Sequence, residues 1–326
     1  MKRTFLTLLS VCLGILLTSC VSPGGSFGSG PDSGGEAYIA VEAHSGKILA
    51  NHNAKATRPV ASLSHVATAV VTFDWATATG SSLAQQAIVP PNAGAITGPN
   101  PMGLQPGDQI ALRDALYSML MGSDMVSAQT VSAFVGNQFQ QQRGQRRESV
   151  TGTFVSEMNQ LARALGMSRT RFVDGLDSNG GASTAEDMAR LAIYAMRHPG
   201  MAFYTKQKSR RIGFLRAGQP VSFNLSNTNT LVGQQSITGL KAGGTERSGP
   251  CLMISAEGKS SVEKLADGKS RVTPRRMVVV VLNSTQREAR ALGLLNVGWT
   301  GYDQWQALGA TAIQQPQKFL SVPQLQ

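Results

Sequence analysis

Strand-like runs stand at both ends of this 326-residue chain, and stretches of helical period fill the middle. Near the start, Ala37-Tyr38-Ile39-Ala40-Val41-Glu42 reads as a strand, Ala43 to Gly46 as a turn, and Lys47-Ile48-Leu49-Ala50 as the returning strand of a hairpin. Toward the end, residues 236–240, 251–256 and the run Met277-Val278-Val279-Val280-Val281-Leu282 have strand character. Apolar positions recur at helical spacing over 62–72, 112–121, 126–135, 155–165 and 185–196. Strands separated by so much helix can share a core only if the two chain ends pair. The pattern therefore predicts a mixed α/β domain, an antiparallel sheet built from both ends and flanked by helices, with a helical subdomain. No repeat of 20–50 residues is visible.

The first residues belong to a different class. Met1-Lys2-Arg3 and an apolar run to Leu17 are too short to span a bilayer as a stable helix and read as a signal peptide. The run ends in Leu17-Thr18-Ser19-Cys20, which looks like a bacterial lipoprotein signal with Cys20 lipidated after cleavage. Several acyl chains on one residue would hold firmly, at about 0.8 kcal/mol for each buried methylene. Residues 20–35 are Ser, Gly and Pro with little else and read as a tether. The expected organisation is thus signal peptide 1–19, tether 20–35, folded domain 36–300 and a short tail 301–326. The expected location is the periplasm or cell envelope, on a membrane through the lipid anchor.

Composition narrows the function classes. Hydrophobic residues at 41% supply an ample core, while 15% charged and 6% aromatic residues fit neither a disordered polyampholyte nor an aromatic-rich nucleic-acid binder. The net charge of +11 suits work beside anionic envelope polymers. Export argues against nucleic acid as a partner. With Cys12 cleaved away and Cys20 acylated, Cys251 is left as a lone thiol, so no internal disulfide is expected. His44, His52 and His198 have no metal-ligand spacing, and no cofactor is expected. Basic runs at 140–147 and 206–211 read as solvated loops.

Chemistry concentrates in Arg58-Pro59-Val60-Ala61-Ser62-Leu63-Ser64-His65. Ser62 and His65 are three apart, so one helical turn brings them to one face, as a nucleophile and its base require. Ser62 as a plain helix N-cap and His65 as a core histidine are the competing readings. The segment resembles the nucleophile motif of the serine D-Ala-D-Ala carboxypeptidases, the low-molecular-weight penicillin-binding proteins, in which a lysine stands at the His65 position. Ser123-Asp124-Met125 resembles the family's Ser-x-Asn element, with methionine for asparagine. Thr238-Gly239-Leu240-Lys241-Ala242-Gly243-Gly244-Thr245 resembles its Lys-Thr-Gly strand, with alanine for threonine. Phe172 to Leu176, Ser183 to Ala189 and Asn227-Thr228-Asn229 also fit, in the family's order, over roughly 37–300. Ser222-Phe223-Asn224 and Ser261-Val262-Glu263-Lys264 spell similar motifs by chance, the second in what reads as a polar hairpin loop.

The resemblance implies a β-lactamase/transpeptidase-like fold and a serine-type carboxypeptidase acting on peptidoglycan stem peptides, with β-lactams as possible ligands. It implies Ser62 as acylated nucleophile, His65 as substitute base, Ser123 as proton relay, and Lys241, Ala242, Gly243 and Thr245 as the substrate-binding strand. An oxyanion hole of two backbone N–H groups, one from the nucleophile and one from that strand, completes the set. Thr245 or Ser248 is placed to replace the hydroxyl lost at Ala242. A histidine base would give an activity limb near the ordinary imidazole value of about 6.5 or below it. The other reading is a non-catalytic envelope lipoprotein that keeps the peptide groove as a scaffold surface. The anchor is directly testable: Cys20→Ala is expected to move the protein from the membrane pellet to the soluble fraction and abolish palmitate labelling. Retention of both would remove the lipoprotein reading.

Overall fold

The computed structural model describes residues 35–144, 149–176, 181–310 and 318–324. The expected signal peptide, Cys20 and all but the last residue of the tether lie outside these, as do Gln145, Arg146 and Arg147 of the first basic run. In chain order the elements are β1 (Ala37–Glu42), β2 (Ile48–His52), a 3-10 turn (Ala61–Ser64), α1 (His65–Thr79), β3 (Gln86–Ile88), β4 (Gln109–Ala111), α2 (Leu112–Gly122), α3 (Met125–Arg143), α4 (Val150–Ala164), α5 (Ala185–Ala195), α6 (Pro199–Thr205), β5 (Ser209–Arg216), β6 (Gln219–Ser226), β7 (Ile237–Thr245), β8 (Gly249–Lys264), β9 (Ser270–Leu282) and α7 (Arg287–Ala307).

Five of these strands make one antiparallel sheet in the order β2-β1-β9-β8-β7. The chain ends meet as expected: Ile39 pairs with Val280 and Val41 with Val278. The run 277–282 is apolar at every position because both sheet faces are covered. Successive side chains alternate between faces, so Val278, Val280 and Leu282 enter the core formed with α1 to α5. Met277, Val279 and Val281 enter the second core, with Leu294 and Leu295 of α7. β7 is left as the free edge of this sheet, directly against the 3-10 turn.

Three features differ from the sequence reading. A second sheet, β3-β4-β5-β6, carries the expected solvated run 206–211 partly into β5, where Ile212 and Phe214 are buried while Ser209 and Arg211 stay exposed. β8 and β9 continue past the covered zone as a long hairpin, so Ser261 to Lys264 is paired strand, with Val262 opposite Val272. Helix α7 crosses residue 300, and its glycines mask it, since glycine reads as a helix breaker. Gly298 is there for closeness: a Cβ would meet the Met277 side chain at 3.0 Å.

The same device joins α3 to α4. A Cβ on Gly136 would stand 2.2 Å from the Val150 carbonyl oxygen, and backbone there cannot step aside cheaply. Gly136→Ala is expected to cost about 1–3 kcal/mol and to lower the thermal midpoint by roughly 2–12 °C. An unchanged midpoint in a melting experiment would mean the helices are not held this close.

Candidate active site

Ser62 sits on the 3-10 turn that leads into α1, not inside the α-helix itself. Ala61 before it has φ of 50°, a left-handed conformation that costs a residue with a Cβ of order 1–3 kcal/mol and is held by surrounding structure. Across the groove, Ser123 closes α2 in the same left-handed region, with φ of 60°. Asp124 fixes that corner. Its Oδ1 accepts from the Ser127 N–H at 2.9 Å, capping α3, and its Oδ2 accepts from Ser118 Oγ at 2.7 Å. Burial pushes the Asp124 carboxyl above the usual carboxylate range.

Strand β7 brings the two serines together. A Cβ on Gly243 would lie 3.0 Å from the Ser62 backbone nitrogen, so only glycine lets the strand approach this closely. One residue earlier, the Ala242 carbonyl accepts from Ser123 Oγ at 3.5 Å. That carbonyl points away from β8 and toward the groove. By the two-residue period, the Gly244 N–H points the same way. Its partner across the ladder is Pro250, which has no N–H to exchange. Sequence reasoning named the strand but not Gly244, because the strand edge facing the groove follows only from the pairing.

These residues line one groove of about 1500 Å³, which includes Ser62, Ser123, Met125, Ala242, Gly243 and Thr245. His65 and Lys241 are not on its surface; both have no exposed area. His65 Nδ1 lies 3.3 Å from the Met119 carbonyl, which can only accept, so we assign the ring proton to Nδ1. Nε2 then carries a lone pair and has no hydrogen-bond partner among the described residues. Burial pushes the imidazole down to about 3, the Lys241 charge adds to that shift, and the Met119 and Leu176 carbonyls oppose it. The imidazole is neutral throughout the physiological range.

Lys241 Nζ donates to Ser123 Oγ at 2.7 Å and to its neighbour Ala242's carbonyl at 2.5 Å. Burial, then the Arg287 charge, pushes its amine down to about 7. The arrangement puts a near-neutral amine directly behind a groove serine. Thr245 Oγ1 is tied to Ser248 Oγ at 3.0 Å, and the pair closes the β7–β8 turn, although Thr245 still faces the groove. Met125 puts its sulfur on the groove wall: a Cβ on Gly98 would lie 2.1 Å from its Sδ, and the Met125 N–H donates to the Pro99 carbonyl at 2.8 Å. The loop around Gly98 is thereby fastened along the groove wall. Cys251 is fully buried, on β8 opposite Gly243. Among the described residues no group of three or more His, Cys, Asp or Glu could hold a metal ion, and no helix is long and apolar enough to cross a membrane.

A half-buried serine on a strained turn, facing the free edge of an antiparallel sheet beneath a helical layer, defines a serine acyl-transfer scaffold. Residues 28–264 match the D-alanyl-D-alanine carboxypeptidase family, and the chain belongs to it. Over 267 residues it is 26% identical to a D-alanyl-D-alanine endopeptidase of Pseudomonas aeruginosa, covering 78% of each chain. It is 30% identical over 235 residues to the D-alanyl-D-alanine carboxypeptidase DacC of Escherichia coli, covering 69% of this chain but only 54% of that one. The fold is that of a Streptomyces DD-transpeptidase (TM-score 0.68, 21% identity, 81% of this chain and 96% of that one). It is shared with a penicillin-binding protein of Listeria monocytogenes in its ampicillin-bound form (TM-score 0.62, 24% identity, 81% and 96%).

The buried imidazole leaves a signature in stability. In the unfolded chain it binds a proton near 6.5, and in the fold only near 3. Between these values the unfolded state binds more protons, so stability falls as pH drops from 6.5 toward 3, by up to about 1.4 kcal/mol per pH unit. His65→Leu is expected to remove that part of the slope in urea-unfolding titrations between pH 7 and 4. Parallel curves for the two proteins would mean that His65 is solvated or paired.

Proposed function

We propose that this protein is a serine-type D-Ala-D-Ala carboxypeptidase that cleaves peptidoglycan stem peptides through an acyl-enzyme on Ser62. The observation that carries the reading is the meeting of Ser62 with the free edge of β7, where Gly243 leaves no space for a side chain. A peptide laid along that edge pairs with the strand as one more antiparallel neighbour. Its scissile carbonyl then lies over Ser62, with the oxygen between the N–H groups of Ser62 and Gly244. Two such donors stabilise the charge that develops in the tetrahedral intermediate; removing one side-chain donor of this kind costs on the order of 10²–10³ in rate. Ser123, which meets the same strand edge one residue earlier at Ala242, passes a proton to the leaving amine. Water afterwards resolves the ester.

Family membership and the intact groove support turnover over a scaffold role, which has no observation of its own. Location in the cell envelope, with a lipid on Cys20, fits a stem-peptide substrate and is part of this proposal. β-Lactams, which mimic the acyl-D-Ala-D-Ala unit in the family, are the natural probe. Wild-type protein is expected to be labelled covalently by a fluorescent penicillin, slowly because Met125 and Ala242 have lost polar contacts. Ser62→Ala is expected to abolish the label, with the labelled peptide mapping to Ser62 by mass spectrometry. Labelling that survives in Ser62→Ala and maps to Ser261 would overturn the assignment of the nucleophile.

A further inference from the structure

Resting on that reading, we propose that the base for Ser62 is the amine of Lys241, acting through the hydroxyl of Ser123, and not the imidazole of His65. The argument is first one of access. Ser62 and Ser123 both line the groove, and they flank consecutive residues of β7, Gly243 and Ala242. His65 lines none of it: its Nδ1 is held by the Met119 carbonyl, and its Nε2 touches no hydroxyl among the described residues. Lys241 stands behind Ser123 at 2.7 Å, the distance of a proton-transfer contact.

The second argument is charge. The charged and titratable groups that bear on Lys241 include His65 from α1, Arg287 from α7 (itself paired with Glu288 at 2.7 Å) and the corner holding Ser123 and Asp124. His65 is neutral and Arg287 positive, while the Asp124 carboxylate turns away to Ser118 and to the cap of α3. No carboxylate among the described residues pairs with the lysine. A fully buried ammonium without a counterion is costly, so the fold favours the neutral amine. In the charged form Lys241 Nζ donates both to Ser123 Oγ and to the Ala242 carbonyl; once neutral, with an N–H still on that carbonyl, its lone pair is free to accept from the Ser123 hydroxyl 2.7 Å away. A single-residue exchange at position 65 then moves the base from the nucleophile's own helix to the strand opposite.

The step balances without any further reactant. The Ser62 proton passes to Ser123 Oγ as the Ser123 proton passes to Lys241 Nζ, giving an ammonium. Ser62 Oγ bonds to the substrate carbonyl carbon, and the carbonyl π pair moves onto oxygen. As the carbon–nitrogen bond breaks, the departing amine takes a proton from Ser123, which recovers one from Lys241. Hydrolysis repeats the relay with water in place of Ser62. Lys241 ends neutral, so it cannot also serve as the fixed cation for the substrate carboxylate.

The test is the pH dependence of single-turnover acylation by a chromogenic β-lactam, on the full folded protein. The rate is expected to rise through a single limb near pH 7, the value to which burial brings the Lys241 amine. Lys241→Arg, which keeps a charge but cannot give up a proton, is expected to lose at least about a hundredfold across the whole range. In Lys241→Ala, added ethylamine is expected to restore part of the rate in proportion to its free-base concentration, a response that a merely structural lysine would not give. Melting curves show which variants are folded. If either replacement fails to fold, the limb in wild type decides alone. Acylation that is flat from pH 8 to 5, or that survives Lys241→Arg within tenfold, overturns this base assignment and leaves Ser62 standing. A wild type that is not acylated at any pH overturns the acyl-enzyme reading and this inference with it.

Discussion

The groove exists because β7 comes within contact of the turn that carries Ser62. A Cβ at Gly243 would stand 3.0 Å from the Ser62 nitrogen and 3.3 Å from its Cβ. Every other element of the site is placed from that contact. The free edge of β7 faces the groove because β8 occupies its other side. The Ala242 carbonyl then meets Ser123, the Gly244 N–H faces the oxyanion position, and Lys241 is driven under the sheet edge into full burial. Side chains would hold the strand and the turn further apart and open the oxyanion hole, so the absence of one atom at residue 243 sets the geometry of the whole.

Burial without counterions is the second constraint, and it follows from the first. The site interior holds two nitrogen bases, His65 and Lys241, and both are pushed toward neutrality by the same lack of water. The two differ in what that neutrality allows. An imidazole with its conjugate acid near 3 is too weak to take a serine proton at neutral pH. An amine near 7 sits where a general base works best, half neutral and still strongly basic. Desolvation therefore disables one group and tunes the other, although it acts on both in the same direction.

Much of this was legible in the chain. The pairing of both ends in one sheet followed from the strand runs at 37–42 and 277–282, because an all-apolar run needs a sheet covered on both faces. Ser62, Ser123 and the strand through Lys241 stood out because short motifs in a fixed order carry them. What stayed hidden has physical causes. Whether His65 faces the groove depends on the rotation of a helix start, and the 3-10 turn at Ala61–Ser64 turns it inward to Met119. Gly298 in α7 looks like a breaker in sequence and is a contact point in space, against Met277. The strands β5 and β6 are mostly polar outside, so their alternation is too weak to read. The donor proposed at Gly244 is a backbone group, and a backbone group has no letter.

Residues 65, 125 and 242 belong together when they are placed in space. Met125 sets a sulfur on the groove wall, against the loop at Gly98. Ala242 supplies the carbonyl that Lys241 and Ser123 share. Burial keeps His65 neutral, so Arg287 is the charge that bears on Lys241. A second buried ammonium at residue 65 would push the Lys241 amine lower still and weaken it as a base. A neutral residue 65 and the proposed use of Lys241 as base are thus two sides of one electrostatic condition, in which burial disfavours charge at both positions and least at the strand.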